Sequence, residues 1–452
     1  MTDHACSARG MVFALLLAVF MMFFLLPASA LGGGAGPPKN FTKGVFIKVD
    51  GMAGKALFLA SGTESPVTLK MGEEVRAEGI SLNRMVMITL EEQDGHPVVR
   101  TVETMFLDLT FYRFLALMVV GLLGGLLSGF IGSGGAFVLT PAMMSLGVPG
   151  SVAVASNMCH KFPKAMVGAY KRFRYGQVDI KLGLTIALSA IVGVQIGIAI
   201  QKAILKIWGN AGSNLYVSVV FVIVLLVVGG YVLRDAVRLS GSGAVNRTSK
   251  LALKLQKLNI PPMMNFRTAG VKISAWITLP LGLATGMLAA TIAVGGFIGV
   301  PGMIYLVGAS AIVASATELL IAFVMGAWGS IQWGISGLID IRLTLLILAT
   351  SLIGVQLGAL GTTYVKDYAI KLVMAAVMLI VAVSRGVKIP GYLGDLGLIP
   401  PLESPLASIL NSISFWSLVA ALATAGVIIT TVMLKGMLKA RQEDQAIQAG
   451  KA

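Results

Sequence analysis

Gly132-Ser133-Gly134-Gly135-Ala136-Phe137 and Ala293-Val294-Gly295-Gly296-Phe297 are one glycine-rich break written twice, 161 positions apart. The same spacing joins Val154-Ala155-Ser156-Asn157 to Ser315-Ala316-Thr317-Glu318. It joins Gly176-Gln177-Val178-Asp179-Ile180-Lys181-Leu182 to Gly337-Leu338-Ile339-Asp340-Ile341-Arg342-Leu343, and Gly193-Val194-Gln195-Ile196-Gly197 to Gly354-Val355-Gln356-Leu357-Gly358. Blocks that recur at a constant offset mark a duplicated structural unit. Just upstream, Ser128-Gly129 matches Thr285-Gly286 at 157, so four extra residues are expected before the second Gly-Gly.

Working outward, the duplicated unit is apolar almost throughout. Of 452 residues, 56% are hydrophobic and 12% charged, about half the charged share of a soluble domain. Segments of membrane-spanning length recur at about 111–148, 150–170, 181–202 and 215–233, again at 274–306, 308–333, 342–362 and 369–385, and last at 414–434. The fold expected is an all-α polytopic membrane protein: a first repeat at 111–233, a second at 274–385 and an additional C-terminal helix. In each copy a Gly-rich broken segment precedes three full spans, with Pro141 or Pro301 close behind the break. In lipid, broken backbone is tolerated only against protein or a water-filled cavity.

The N-terminus differs in kind. Residues 11–26 form a short apolar run behind Arg9, ending in Pro27-Ala28-Ser29-Ala30, the layout of a signal peptide over 1–30, with an uncleaved anchor as the alternative. A flexible linker follows at 31–38. Residues 39–105 hold 8 Lys+Arg and 9 Asp+Glu, and runs such as Val45-Phe46-Ile47-Lys48-Val49 alternate apolar and polar between glycines. That pattern predicts a small extracytoplasmic antiparallel β domain over 39–108, acting as a structural cap or a binding module. Its size makes the core marginal alone, so it should lean on the membrane part.

A net charge of +15 first raises nucleic-acid binding. Its distribution instead reads as topology. Loop 161–181 carries six basic residues (Lys161, Lys164, Lys171, Arg172, Arg174, Lys181), and the basic loop 234–272 carries eight against Asp235. The counterpart of the first loop, 334–342, carries only Arg342, beside Asp340. Cation-rich loops stay in the cytoplasm, which puts 161–181, 234–272 and the tail 435–452 inside and 334–342 outside. Equivalent loops on opposite faces make an inverted-topology repeat. With 366–371 added, these cytoplasmic stretches hold 20 basic and five acidic residues, the whole net charge. No nucleic-acid partner is expected. Two cysteines and three histidines (His4, His96, His160) exclude a disulfide scaffold and a Cys- or His-built metal centre. No nucleophile–base pair or cofactor fingerprint is present, so neither an enzyme nor a cofactor is expected.

Gly125-Leu126-Leu127-Ser128-Gly129 through Gly132-Ser133-Gly134-Gly135, then Pro141, Val148-Pro149, Ala153-Val154-Ala155-Ser156-Asn157 and the Gly-x-x-Asp-Ile-Lys turn at 176–181, resemble the first repeat of the sulfite exporter TauE/SafE family. Residues 281–362 are similar to its second, so the likeness covers about 111–385. It implies a transporter of sulfite, sulfonates or related organosulfur anions in the bacterial inner membrane. The family's usual Gly-Ile-Gly-Gly-Gly is here Gly132-Ser133-Gly134-Gly135-Ala136, and Ala293-Val294 precede the second Gly-Gly. The β domain and the basic loop lie outside the family's minimal plan.

Carriers built from inverted repeats bind substrate near the bilayer midplane, where half-helix N-termini face anions. The expected substrate-binding set is therefore Ser128, Ser133, Gly134, Gly135, Thr285, Thr291, Gly295 and Gly296, with the matched pair Asn157 and Glu318 and the matched amides Gln195 and Gln356. Each hydroxyl has a competing role bonding its own helix, and the amides a competing role between helices. Glu318, an acid within an uncharged run, suits proton coupling. Asp179 and Asp340 are expected to cap the spans that follow them. His160 and Lys161 adjoin Asn157, with Lys161 expected to snorkel to the interface, and Cys159 reads as a packed small hydrophobe. The partners implied are a small anionic substrate, the lipid bilayer and a coupling proton or ion; the sequence sets no oligomeric state. The rival functions are a passive anion channel and a membrane receptor or assembly factor using the β domain.

Overall fold

The computed structural model describes residues 40–50, 55–60, 63, 65–72, 75, 85–93, 96–131, 135–242, 250–362 and 367–449. The expected signal at 1–30, the linker at 31–38, and Ser133 and Gly134 lie outside these residues.

Strands β1 (Asn40–Asp50), β2 (Lys55–Ala60), β3 (Val67–Met71), β4 (Met85–Gln93) and β5 (His96–Thr104) close into a barrel in the order β1-β2-β3-β5-β4, with β4 paired back onto β1. The purely antiparallel sheet expected is corrected at one seam: β3 and β5 run parallel, Lys70 opposite Val98 and Met71 opposite Val99. Closure removes the edges of so small a sheet. Its alternating residues fill the interior, with Phe46, Phe58, Leu69, Val86, Ile88 and Val99 buried and the two rings 5.1 Å apart edge to face. The barrel does lean on the helices. Met87, Met105 and Leu107 join the helical core, Lys43 Nζ donates to the Ser336 carbonyl, and Asn210 Nδ2 donates to Glu103 Oε2 at 2.7 Å.

The helical body contains α1 (Phe111–Ile131), α2 (Ala136–Ser145), α3 (Gly150–Arg174) and α4 (Ile180–Ser242), the last broken at Gly209, whose φ is 60°. After α5 (Lys250–Gln256) and a hairpin of β6 (Met263–Phe266) and β7 (Val271–Ser274) come α6 (Ala275–Ile292), α7 (Gly296–Gly302) with a π-type turn Met303–Val307, α8 (Ala311–Ile335), α9 (Ile341–Thr362), α10 (Asp367–Gly386), α11 (Ile389–Asp395) and α12 (Ser404–Ala449). Among the described residues, seven helices are long and apolar enough to cross a membrane. The chain is a multi-pass membrane protein. The last span begins at Ser404, ten residues before the 414 expected.

Two boundaries carry functional weight. Helix α3 runs unbroken to Arg174, so Lys161 and Lys164 lie inside a helix and not in the loop to which their charge assigned them. That correction leaves Lys171, Arg172, Arg174 and Lys181 near the turn. The second concerns the four extra residues expected before the second Gly-Gly. A Cβ on Gly125 would strike the Ser351 backbone, and one on Gly286 the Ala190 backbone; Gly121 meets Ile347 as Gly282 meets Ile186. Every partner in these contacts is 161 from its counterpart, so packing pairs Gly286 with Gly125 rather than Gly129. Small residues let α1 and α9, and likewise α6 and α4, approach backbone to backbone.

Helices α3 and α8 cross at the centre, where Phe162 stacks on Phe323 at 5.8 Å. The Asp340 N–H donates to Ser156 Oγ near the start of α3, and the Asp179 N–H donates to Thr317 Oγ1 near the start of α8, both at 3.0 Å. Since Asp179 follows α3 and Asp340 follows α8, the two helices are antiparallel. At about 1.5 Å per residue, the two turns are a membrane thickness apart. The barrel covers the Asp340 end, where the Arg342 guanidinium donates to the Leu107 carbonyl at 3.3 Å. The β6–β7 hairpin covers the other, where the Ala269 N–H donates to Asp179 Oδ2 at 2.9 Å.

Candidate functional site

His160 and Lys161 lie three and four residues after Asn157, and Lys164 lies four and three after them, which places all four on one face of α3. All but Lys164 are buried, and Lys164 is half-buried. This face turns inward onto α1, α2 and α8. Asn157 Nδ2 donates to the Ala136 carbonyl at 3.0 Å and to Thr140 Oγ1 at 2.7 Å, tying α3 to the start of α2. Its Oδ1 is 3.3 Å from His160 Nδ1, and His160 Nε2 is 2.7 Å from Ser351 Oγ on α9. Lys164 Nζ donates to Ser128 Oγ on α1 at 3.0 Å.

From the other side, α8 presents Glu318, 4% exposed, at the place equivalent to Asn157. Its carboxylate lies against Gly299 of α7 and interacts electrostatically with Lys161. Neither carboxylate oxygen has a hydrogen-bond partner among the described residues. An uncompensated buried carboxylate is costly, and Lys161 is the cation that acts on this one. The positions on α8 equivalent to His160, Lys161 and Lys164 are Ile321, Ala322 and Met325. The charge is therefore one-sided: cations from the first copy, the acid from the second.

The snorkelling expected of Lys161 is corrected, because only 9% of the residue is exposed. Counting cations as loop markers hid both lysines; their helical spacing from Asn157 was the signal that could have found them. Of the other expected site residues, Ser128 and Asn157 join the cluster with Glu318. Thr285 and Thr291 are buried but bond their own helix, donating to the Leu281 and Met287 carbonyls at 2.7 and 2.8 Å. Gln195 is exposed and accepts from Trp328 Nε1 at 3.3 Å, and Gln356 is exposed, so neither amide is brought to the cluster.

The breaks fall where the glycines predict. Helix α6 ends with Ala293 in the left-handed region at φ 60°, rare for a residue with a side chain, and α7 begins at Gly296. Space beside the glycines is filled by protein: a Cβ on Gly135 would meet the Gly124 carbonyl, and one on Gly295 the Thr285 carbonyl at 2.8 Å. Both aspartates cap as expected, Asp179 Oδ1 accepting from the Leu182 N–H and Asp340 Oδ1 from the Arg342 N–H, each at 3.0 Å. Cys159 is a free, half-buried thiol.

Membrane-crossing helices around a buried, charged cluster are the architecture of a membrane transporter. Residues 117–385 match the family described as Sulfite exporter TauE/SafE, and the chain belongs to it. Three relatives from Bacillus subtilis (strain 168) are similar over almost their whole length. They are Probable membrane transporter protein YdhB (23% identical over 57% of this chain and 94% of the relative), YjnA (22%, 59% and 97%) and YunE (22%, 59% and 95%). No solved structure gives a significant match.

Proposed function

We propose that the protein is an inner-membrane secondary carrier of a small sulfur oxyanion, such as sulfite or a sulfonate, moving it by alternating access between two inverted repeats. The observation that carries this reading is the buried cluster at the α3–α8 crossing. Lys161, Lys164 and Ser128 there supply donors for an anion, and Glu318 supplies one ionisable acid. The recurrence of contacts at 161 residues and the antiparallel α3 and α8 support the inverted arrangement. The barrel at the Asp340 end and the basic hairpin region at the Asp179 end support an outside barrel and a cytoplasmic C-terminus. The family's description supports the sulfur oxyanion; the relatives' names specify no substrate.

Charge balance gives the cycle. With Glu318 protonated, Lys161 and Lys164 are uncompensated and an anion completes the site. When Glu318 ionises, its charge neutralises Lys161 and repels the anion, which leaves. Proton and anion therefore travel together. Purified protein in liposomes with an inward acid gradient should accumulate sulfite. Glu318→Gln, nearly the same in shape, should retain a folded protein and flatten the pH dependence of flux. An unchanged pH profile in that variant would remove the coupling role, and flux indifferent to the gradient in the wild type would make the protein a channel.

A further inference from the structure

A second cationic site lies away from the α3–α8 crossing. An open cleft of about 560 Å³ is lined by Ser145 at the end of α2, Lys388 beside α11, and the exposed Ser404, Ser408, Asn411, Ser412 and Trp416 of α12. Three hydroxyls at 404, 408 and 412 recur every four residues, which sets them on one face of α12. Such a polar stripe is unexpected on a helix apolar enough to span a membrane. Lys388 Nζ donates to Asn411 Oδ1 at 2.5 Å across the cavity. Behind the wall, Arg385 is fully buried. Its Nη2 donates to Ser145 Oγ and, at 3.2 Å, to Ser414 Oγ, while Nε and Nη1 have no hydrogen-bond partner among the described residues.

One cation, Lys388, and a row of neutral donors line the pocket, Arg385 lies behind Ser145, and no carboxylate is among the lining residues; Asp395, on α11, is the acid that acts on Lys388 electrostatically. A guanidinium left with spare donors in a dry wall is costly unless an anion offsets its charge. Ser145 lies two residues before Gly147, whose Cβ position would be 3.5 Å from Leu107 Cδ1 beneath the barrel. The pocket is therefore at the barrel end of the helical body. Most of its wall comes from 388–416, beyond the family-matched segment.

We propose that this pocket binds a small oxyanion, taken either free from solution or as the headgroup of an anionic lipid. Its chemistry is the same in both cases: charge from Lys388, with the Arg385 guanidinium acting from behind Ser145, and hydrogen bonds from Ser408, Ser412 and Asn411. The site is independent of the transport cluster, and its test measures binding, not flux.

Full-length protein in nanodiscs of zwitterionic lipid is titrated with sulfate while Trp416 emission is followed, Trp416→Phe establishing which part of the signal belongs to the pocket. A saturable change weakened at least about tenfold by Lys388→Gln, the scale of one charge-assisted hydrogen bond, assigns a free anion. Ser408→Leu, which fills the cavity without removing charge, should abolish it. If sulfate is silent but native mass spectrometry finds phosphatidylglycerol retained by the wild type and lost from both variants, the occupant is a headgroup. No sulfate response together with no retained lipid, or responses that both variants leave unchanged, overturns the proposal.

Discussion

Helices α3 and α8 hold equivalent places in the two halves, yet one is rich in satisfied polar groups and the other is apolar around a single unsatisfied acid. On α3, Asn157 makes two hydrogen bonds to α2 and its neighbouring basic residues reach α1 and α9. On α8, Glu318 makes none, and its neighbours at the matching positions are Ile321, Ala322 and Met325. The difference teaches that duplication supplied the frame and divergence supplied the chemistry. In the proposed carrier, the anion-holding charge belongs to the first half and the titrating group to the second.

The largest test of that division is Lys164→Met, which gives α3 the residue type found at 325 on α8. Losing one charge-assisted hydrogen bond from Lys164 to the anion should cost about 1.5–3 kcal/mol, roughly a ten- to hundredfold fall in apparent affinity for sulfite in a flux assay. Affinity equal to wild type would return the anion site to the backbone breaks. A smaller effect is expected from Gly299→Ala. The first half carries Val138 there, but in the second a Cβ would press on the Glu318 carboxylate. Overpacking of this kind costs about 1–3 kcal/mol, read as a lowered thermal midpoint in detergent; an unchanged midpoint would mean Glu318 has room to move away.

The smallest effect lies outside the membrane, at the barrel. Burial pushes the Glu103 carboxyl above its ordinary value, and the hydrogen bond from Asn210 offsets part of the shift. A raised folded value means the folded chain holds the proton more tightly than the unfolded chain. Stability from this group is present below the unfolded value and lost as pH rises through the folded one. Glu103→Gln should therefore raise the thermal midpoint by about 2 °C or less at pH 7 and leave it unchanged near pH 4. A fall at pH 7 would make the carboxylate itself the group that holds the barrel.

Much of the frame was legible because it rests on local regularities. Apolar length locates the spans, the glycines locate the breaks, and Asp179 and Asp340 announce themselves as caps by position. Glu318 stood out as an acid in an apolar run. The lysines were obscured by a competing rule: cations near a span's end are ordinarily loop markers, and α3 continues further than its hydropathy suggests because its polar face is buried against protein. Closure of the barrel and its parallel β3–β5 seam depend on register between distant strands, which alternation alone does not specify. The pocket at Lys388 was equally hidden, since Ser145 and Ser408 meet only through the packing of α2, α11 and α12.

The buried lysines also bear on how the chain is made. Helix α3 emerges from the ribosome 161 residues ahead of α8. Until α8 arrives, α3 must enter the bilayer carrying Lys161 and Lys164 with no acid opposite, and each mid-span lysine opposes insertion by about 2.5–3.5 kcal/mol. The first half is thus a poor membrane protein by itself. Insertion of α3 is therefore expected to be more complete in the whole chain than in a chain ending before α8, where no acid arrives to face Lys161.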